Sequence, residues 1–215
     1  GGSNIVLDSS GNAFAAAVTM KADTDGDETF GNITFVDSAA VKLHSSAGTN
    51  GDLFIDAGTD LAVGGNLSIT ATTGNITQGS EVAVGGTTTL VTSANDATIT
   101  LNDADNAFTG ALTITTNDNS GTDADVIIDG GTTALIIAAS TIDGDLTLTS
   151  GATAGITDTG IVTVGGDLAA TTDAGNGVID MDTLAVDGSI ALVTEGNGAA
   201  TVVNDAAIEF AASTV

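Results

Sequence analysis

The chain has 215 residues, of which 2 are lysine or arginine and 28 are aspartate or glutamate, a formal charge of −26. Two cations cannot neutralise a phosphate backbone, which excludes nucleic acid as a partner and disfavours an anionic lipid surface. Apolar residues make up 42% of the chain and mean hydropathy is +0.34, so there is enough greasy surface to build a core and the acidity does not imply disorder.

The N-terminal stretch opens with Ile5-Val6-Leu7, then Asn12-Ala13-Phe14 and Val18-Thr19-Met20. An acidic loop follows, Asp23-Thr24-Asp25-Gly26-Asp27-Glu28, with carboxylates at alternate positions as in oxygen-rich calcium loops. Asp23, Asp25, Asp27 and Glu28 are therefore the candidate metal ligands, and calcium the candidate cofactor. The likeness to an EF-hand loop stops there: its sixth position is Glu28 rather than glycine, and its twelfth is Thr34 rather than glutamate. A solvated acidic turn is the competing reading.

The next stretch, Val41-Lys42-Leu43-His44, holds the one histidine of the chain. Alternation places Lys42 and His44 outward, which makes a lone exposed histidine the simpler view. Without cysteine, and with no serine set beside a histidine and a carboxylate, nucleophilic catalysis has no machinery, and zinc-ligand spacing is absent. Asp103-Ala104-Asp105 and Asp123-Ala124-Asp125 could supply carboxylates to a polysaccharide-cleaving β-helix, but the chain has no arginine to hold an acidic sugar. No catalytic role is expected.

From Thr49 onward one phrase recurs: a hydrophobic stop, a glycine corner, then an alternating strand. It reads Val63-Gly64-Gly65-Asn66-Leu67-Ser68-Ile69, then Val84-Gly85-Gly86-Thr87-Thr88-Thr89-Leu90, and loosely Phe108-Thr109-Gly110-Ala111-Leu112-Thr113-Ile114. Further copies begin at Ile142, Val164 and Val186. First residues are spaced 21 (63 to 84), 24 (84 to 108), 22 (142 to 164), 22 (164 to 186) and 24 (186 to Phe210). A near-constant short period of strands and glycine corners predicts an all-β solenoid, a parallel β-helix of about 21–24 residues and three short strands per coil. Glycine supplies the tight backbone at each corner, and no proline interrupts a ladder anywhere. Roughly nine to eleven coils rising about 4.8 Å each would make a rod on the order of 50 Å long.

Period-two alternation turns the apolar member of each pair inward. It predicts one interior row of Leu53, Leu67, Leu112, Leu146, Leu168 and Ile190, with Ile55, Ile69, Leu90, Ile114, Leu148 and Leu192 beside it. The outward threonines and serine (Thr113, Thr115, Thr147, Thr149, Ser68, Thr70) suggest a flat ladder, interrupted by Ala169, Ala191 and Val193. A longer period is overlaid. Asn12-Ala13-Phe14 returns as Asn106-Ala107-Phe108 after 94 residues (12 to 106), and Ile208-Glu209-Phe210 follows after 102 (108 to 210). The chain is thus read as a single solenoid, 1–215, with internal modules at about 4–97, 98–199 and the start of a third at 200–215. Lacking an initiating methionine and ending in mid-pattern, it is expected to be a segment of a longer chain. The loops at Asp23 to Glu28 and Asn117 to Asp125 are expected to protrude, where binding usually sits. Sequons at Asn32, Asn66 and Asn75 match what chance gives in a threonine-rich chain.

Gly65-Asn66-Leu67-Ser68-Ile69-Thr70, Gly74-Asn75-Ile76-Thr77-Gln78-Gly79 and Val82-Ala83-Val84-Gly85-Gly86-Thr87-Thr88 resemble the filamentous-haemagglutinin-like repeats of large bacterial surface adhesins. Thr98-Ile99-Thr100-Leu101 through Asn106-Ala107-Phe108-Thr109-Gly110 is similar to autotransporter passenger repeats. The resemblance implies a right-handed parallel β-helix, export to the bacterial cell surface or beyond, and a role as stalk or matrix fibre. Expected partners are further copies, end to end or side by side, and cell-surface or matrix glycans. Membrane insertion is not expected, because no apolar run approaches the ~18 residues of a span.

Overall fold

The computed structural model describes residues 4–14, 18–20, 31–44, 52–55, 61–119, 123–173 and 175–215. Of Thr19, Lys42, His44 and residues 52–55 and 61–62 it describes the backbone. Every pairing between strands is parallel, and the described residues contain no helix. The chain is an all-β solenoid. Parallel neighbours need a crossover between them, and here each coil is the crossover for the next.

Three columns of strands make up the wall. The first runs through Ile5–Leu7, Ile33–Asp37, Leu67–Ala71, Thr88–Asn95 and Leu112–Asn117, and continues as Ser140–Ile142, Val162–Val164 and the end of Ile179–Val186. A second column is ten strands long and rises from Val41–His44 through Ile76–Gln78, Ile99–Leu101, Val126–Asp129, Leu146–Ser150 and Leu168–Thr172 to Ser189–Thr194. Leu61–Val63, Val82–Val84 and Ala107–Phe108 begin the third. Above them Leu135–Ile137, Ile156–Asp158 and the start of Ile179–Val186 stack in turn. Because Ile179–Val186 spans both places, the upper third column merges with the first into one eleven-stranded sheet.

Inward side chains form one continuous core. Leu67, Ile69, Leu90, Leu112, Ile114, Leu146, Leu148, Leu168 and Ile190 are all buried, each burial contributing about 1.5–3 kcal/mol. They do not form the two rows expected from sequence. Ile33, Leu67, Thr88 and Leu112 share a row on the first sheet, whereas Ile76, Ile99, Val126, Leu146, Leu168 and Ile190 share one on the second. Leu53 pairs with Val18 and Leu43 on that second sheet. The companion set divides likewise: Ile69, Leu90 and Ile114 align on the first sheet, Leu148 and Leu192 on the second, and Ile55 registers there on Met20.

The cause is a slip of the repeat by one face. Gly64-Gly65 and Gly85-Gly86 lead onto the first sheet, while Asp143-Gly144, Gly165-Gly166 and Asp187-Gly188 lead onto the second. Three strands, Val126–Asp129, Leu135–Ile137 and Ser140–Ile142, separate Leu112 from Leu146, where two separate Leu67 from Thr88, so the phrase restarts one corner later. Every face offers the same inward alternation, so nothing ties the phrase to a particular one. The regular advance is also broken near the N-terminus, where Asp52–Ile55 sits between Val18–Met20 and Val41–His44 on the second sheet.

Corners stack as tightly as strands. A Cβ on Gly110 would strike the carbonyl of Gly86, and one on Gly188 the carbonyl of Gly166. Glycine is required there by close approach of successive coils.

Candidate functional site

The wall sorts its side chains by chemistry: the flat first face carries threonine, serine, valine and alanine, while Asp125, Asp145 and Asp167 stand at a corner. On the first sheet the outward row Val36, Thr70, Val91, Thr115, Thr141, Thr163, Ala185 is in unbroken register. Beside it stand Thr34, Ser68, Thr89 and Thr113. None is charged. Ala169, Ala191 and Val193, which from sequence interrupt the threonine ladder, lie on the second sheet with Thr147 and Thr149. The first-sheet ladder therefore runs on past them.

Corner side chains work as fasteners between coils. Asn4 Oδ1 accepts from the Asn32 N–H (3.0 Å), Asn32 Oδ1 from the Asn66 N–H (2.9 Å), and Asn66 Oδ1 from the Thr87 N–H (2.8 Å). In the C-terminal half aspartates perform the same task. Asp125 Oδ1 accepts from the Asp145 N–H (2.9 Å), Asp145 Oδ1 from the Asp167 N–H (2.7 Å), and Asp167 Oδ1 from the Ser189 N–H (2.7 Å). Three carboxylates thus stand one above another at the coil repeat of about 4.8 Å. Buried hydroxyls close the turns: Thr92 donates to the Ala97 carbonyl, Thr116 to Ala124, Thr172 to Gly177 and Thr194 to Gly198.

Asn106 is the most engaged polar side chain, 1% exposed. Its Oδ1 accepts from the Val82 N–H (2.8 Å) and from Gln78 Nε2 (2.9 Å). Its Nδ2 donates to Gln78 Oε1 (3.1 Å) and to the carbonyls of Leu101 (3.3 Å) and Asp129 (3.0 Å). Asn12 Nδ2 makes the analogous pair of bonds, to the carbonyls of Leu7 and Val36, both at 3.3 Å. Phe108, two residues after Asn106 in the recurring phrase, is fully buried, and Phe14 stacks on Phe35 with ring centroids 5.3 Å apart.

The predicted calcium ligands Asp23, Asp25, Asp27 and Glu28 lie outside the described residues. At the start of the other loop expected to protrude, Asn117 to Asp125, the backbone is joined to neighbouring coils: the Asp118 N–H donates to Asp143 Oδ2 (2.8 Å) and the Asn119 N–H to Asn95 Oδ1. Asp123 is exposed. Among the described residues no three acidic or histidine side chains are gathered as a metal would need. Lys42 and His44 belong to the second-sheet strand Val41–His44, but their side chains fall outside the described set. Asp103 and Asp105, the carboxylates weighed for glycan cleavage, sit in one turn in which Asp103 Oδ1 accepts the Asp105 N–H at 3.0 Å. One carboxyl stands out electrostatically. Burial pushes the Asp129 pKa above its ordinary 3.8, with Asp173 and Asp103 adding like-charge repulsion against the hydrogen bond from the Gly131 N–H.

Sequence reasoning missed Gln78, the partner of Asn106. The repeated Asn-Ala-Phe phrase was a signal for Asn106 itself, but nothing local marks a glutamine 28 residues away.

A family of repeats of unknown function, DUF5649, matches residues 49–115. No curated protein and no solved structure matches the chain. The matched stretch holds the first two full copies of the glycine-corner phrase, and the similarity is to a repeat and not to a site.

Proposed function

We propose that the chain is a structural repeat: a stiff, rod-like spacer in an exported bacterial adhesin or extracellular surface or matrix fibre, with no catalytic role. The observation that carries this reading is the continuity of the wall. Sheets of ten and eleven parallel strands run the length of the described chain around one apolar core. Each coil leans on its neighbours alone, so length can be added without redesigning an interior. Backbone ladders lie along the rod axis, where they resist bending and extension together. Likeness to adhesin and passenger repeats supports a surface location. Small-angle X-ray scattering tests the rod: nine steps of about 4.8 Å along the second sheet give a length of about 43 Å, plus terminal side chains. A globular scattering profile would refute it. Labelling of intact cells of the source organism with an antibody to the chain tests the location.

A second reading is favoured by the aspartate column. Carboxylates at Asp125, Asp145 and Asp167, with the acidic loop at Asp23, Asp25, Asp27 and Glu28, would let calcium bridge neighbouring rods. Light scattering with calcium added and then chelated separates the two readings, and a flat response removes this one.

A further inference from the structure

We propose that the outward face of the first sheet is a docking surface for a second copy of the chain, laid side by side along the rod. The proposal rests on the rod reading and names the partner of that rod. Its starting point is a contrast between the three faces. From Thr34 to Ala185 no outward position in the first column of strands bears a charge, in a chain of formal charge −26; exposed Asp182 stands just before that column, at the corner of the strand Ile179–Val186. The second face carries Asp129 in an outward row, and the third carries Asp180 between Thr157 and Thr201. Charged partners are drawn to the corners. A neutral, β-branched strip fits a neutral, β-branched strip.

Repeat spacing selects the same chain as the occupant. Sheets pack face to face about 10 Å apart with their side chains interdigitated. Interdigitation along a whole rod needs a partner whose rows recur at the same interval, and an identical rod has it by construction. Near its upper end the strip meets a shallow groove lined by Ile161, which is 61% exposed, Leu184, Ala185 and Val203, and also by Asp182 and Asp205, which mark where the neutral strip ends. Seven strands about 4.8 Å apart and some five residues wide present on the order of 500 Å² per copy. Two copies bury about 1,000 Å², the lower bound for a specific interface. The pair is therefore weak for one chain and strengthens with every added coil.

Charge sets the sign of the salt response. Face-to-face docking brings corner carboxylates of one sign towards each other, so screening assists it. Sedimentation velocity of the whole chain, with EDTA throughout, is run in low and high sodium chloride on the parent, Thr89→Glu/Thr113→Glu (first face) and Thr100→Glu/Thr147→Glu (second face). Circular dichroism verifies folding of each. The expected result is association of the parent that rises with salt, falls at least tenfold in the first-face variant and is retained in the second-face variant. A parent that stays monomeric at all salts, association that weakens with salt, or equal loss in both variants overturns the proposal. Scattering on the monomer keeps the two ideas apart, since a rod that never pairs refutes the docking face alone.

Discussion

Removing the Asn106 side chain tests whether the coils are joined by specific polar fasteners or by the apolar core alone. Asn106→Ala leaves the Val82 N–H without its acceptor and takes a donor from the carbonyls of Leu101 and Asp129. An orphaned buried donor costs about 1–3 kcal/mol, and each lost bond to a carbonyl about 1 kcal/mol. The sum is a loss of roughly 3–5 kcal/mol, large beside the 5–15 kcal/mol by which domains are usually stable. Urea unfolding followed by circular dichroism reads the change. Repeat arrays need not unfold in one step, so amide exchange at Val82 is measured in parallel as the local report. Asn106→Asp sharpens the test. Its carboxylate still accepts from Val82 but can no longer donate, and it faces the carbonyl of Asp129, so its stability should partly recover on acidification as the new carboxyl protonates. If Asn106→Ala falls within about 0.5 kcal/mol of the parent and Val82 exchanges no faster, the fastener argument is wrong.

Thr88 occupies an inward position between Leu67 and Leu112, and its buried hydroxyl has no hydrogen-bond partner. Thr88→Val keeps the shape and removes the unmet polar group, so a rise of about 1 kcal/mol is expected, read as a higher urea midpoint with unchanged slope. Asp129 gives a pH prediction. Its folded pKa is raised, so its favourable contribution is complete below the unfolded value near 3.8 and is lost as pH climbs through the folded value. Asp129→Asn keeps an oxygen to accept the Gly131 N–H and should be more stable than the parent at neutral pH. The advantage should shrink on acidification, and one that is independent of pH would contradict the burial argument.

How much could be read from the residues depends on what the residues encode. Alternation encodes inward against outward, and Leu67, Leu112, Leu146, Leu168 and Ile190 are buried as it requires. The period encodes coil length, and the 22-residue steps from Ile142 to Val164 to Val186 are registered neighbours on one sheet. Neither property encodes which face a strand occupies. Leu112 and Leu146 carry the same phrase, but three strands lie between them instead of two, which puts the second copy on the next face. The threonine ladder was misjudged for that reason, since Ala169 and Ala191 interrupt a different sheet. Asn106 was within reach as part of a repeated phrase, and Gln78 was not, because its partnership exists only once two coils are stacked.

The same stacking gives the acidity a structural meaning beyond solubility. A corner must offer an acceptor to the backbone N–H of the coil above, and asparagine or aspartate reaches it equally well through Oδ1. Asn32 and Asn66 do so without charge, while Asp145 and Asp167 do so with one. Choosing aspartate in the C-terminal half therefore keeps the fastener and adds a column of negative charge along that edge. The carboxylates repel one another along the rod and repel any second rod that approaches corner first. Approach is left to the faces, and the first carries no charge at its outward register positions from Thr34 to Ala185. A solenoid whose corners are held by carboxylates thus acquires an orientation for side-by-side contact from the same residues that hold its coils together.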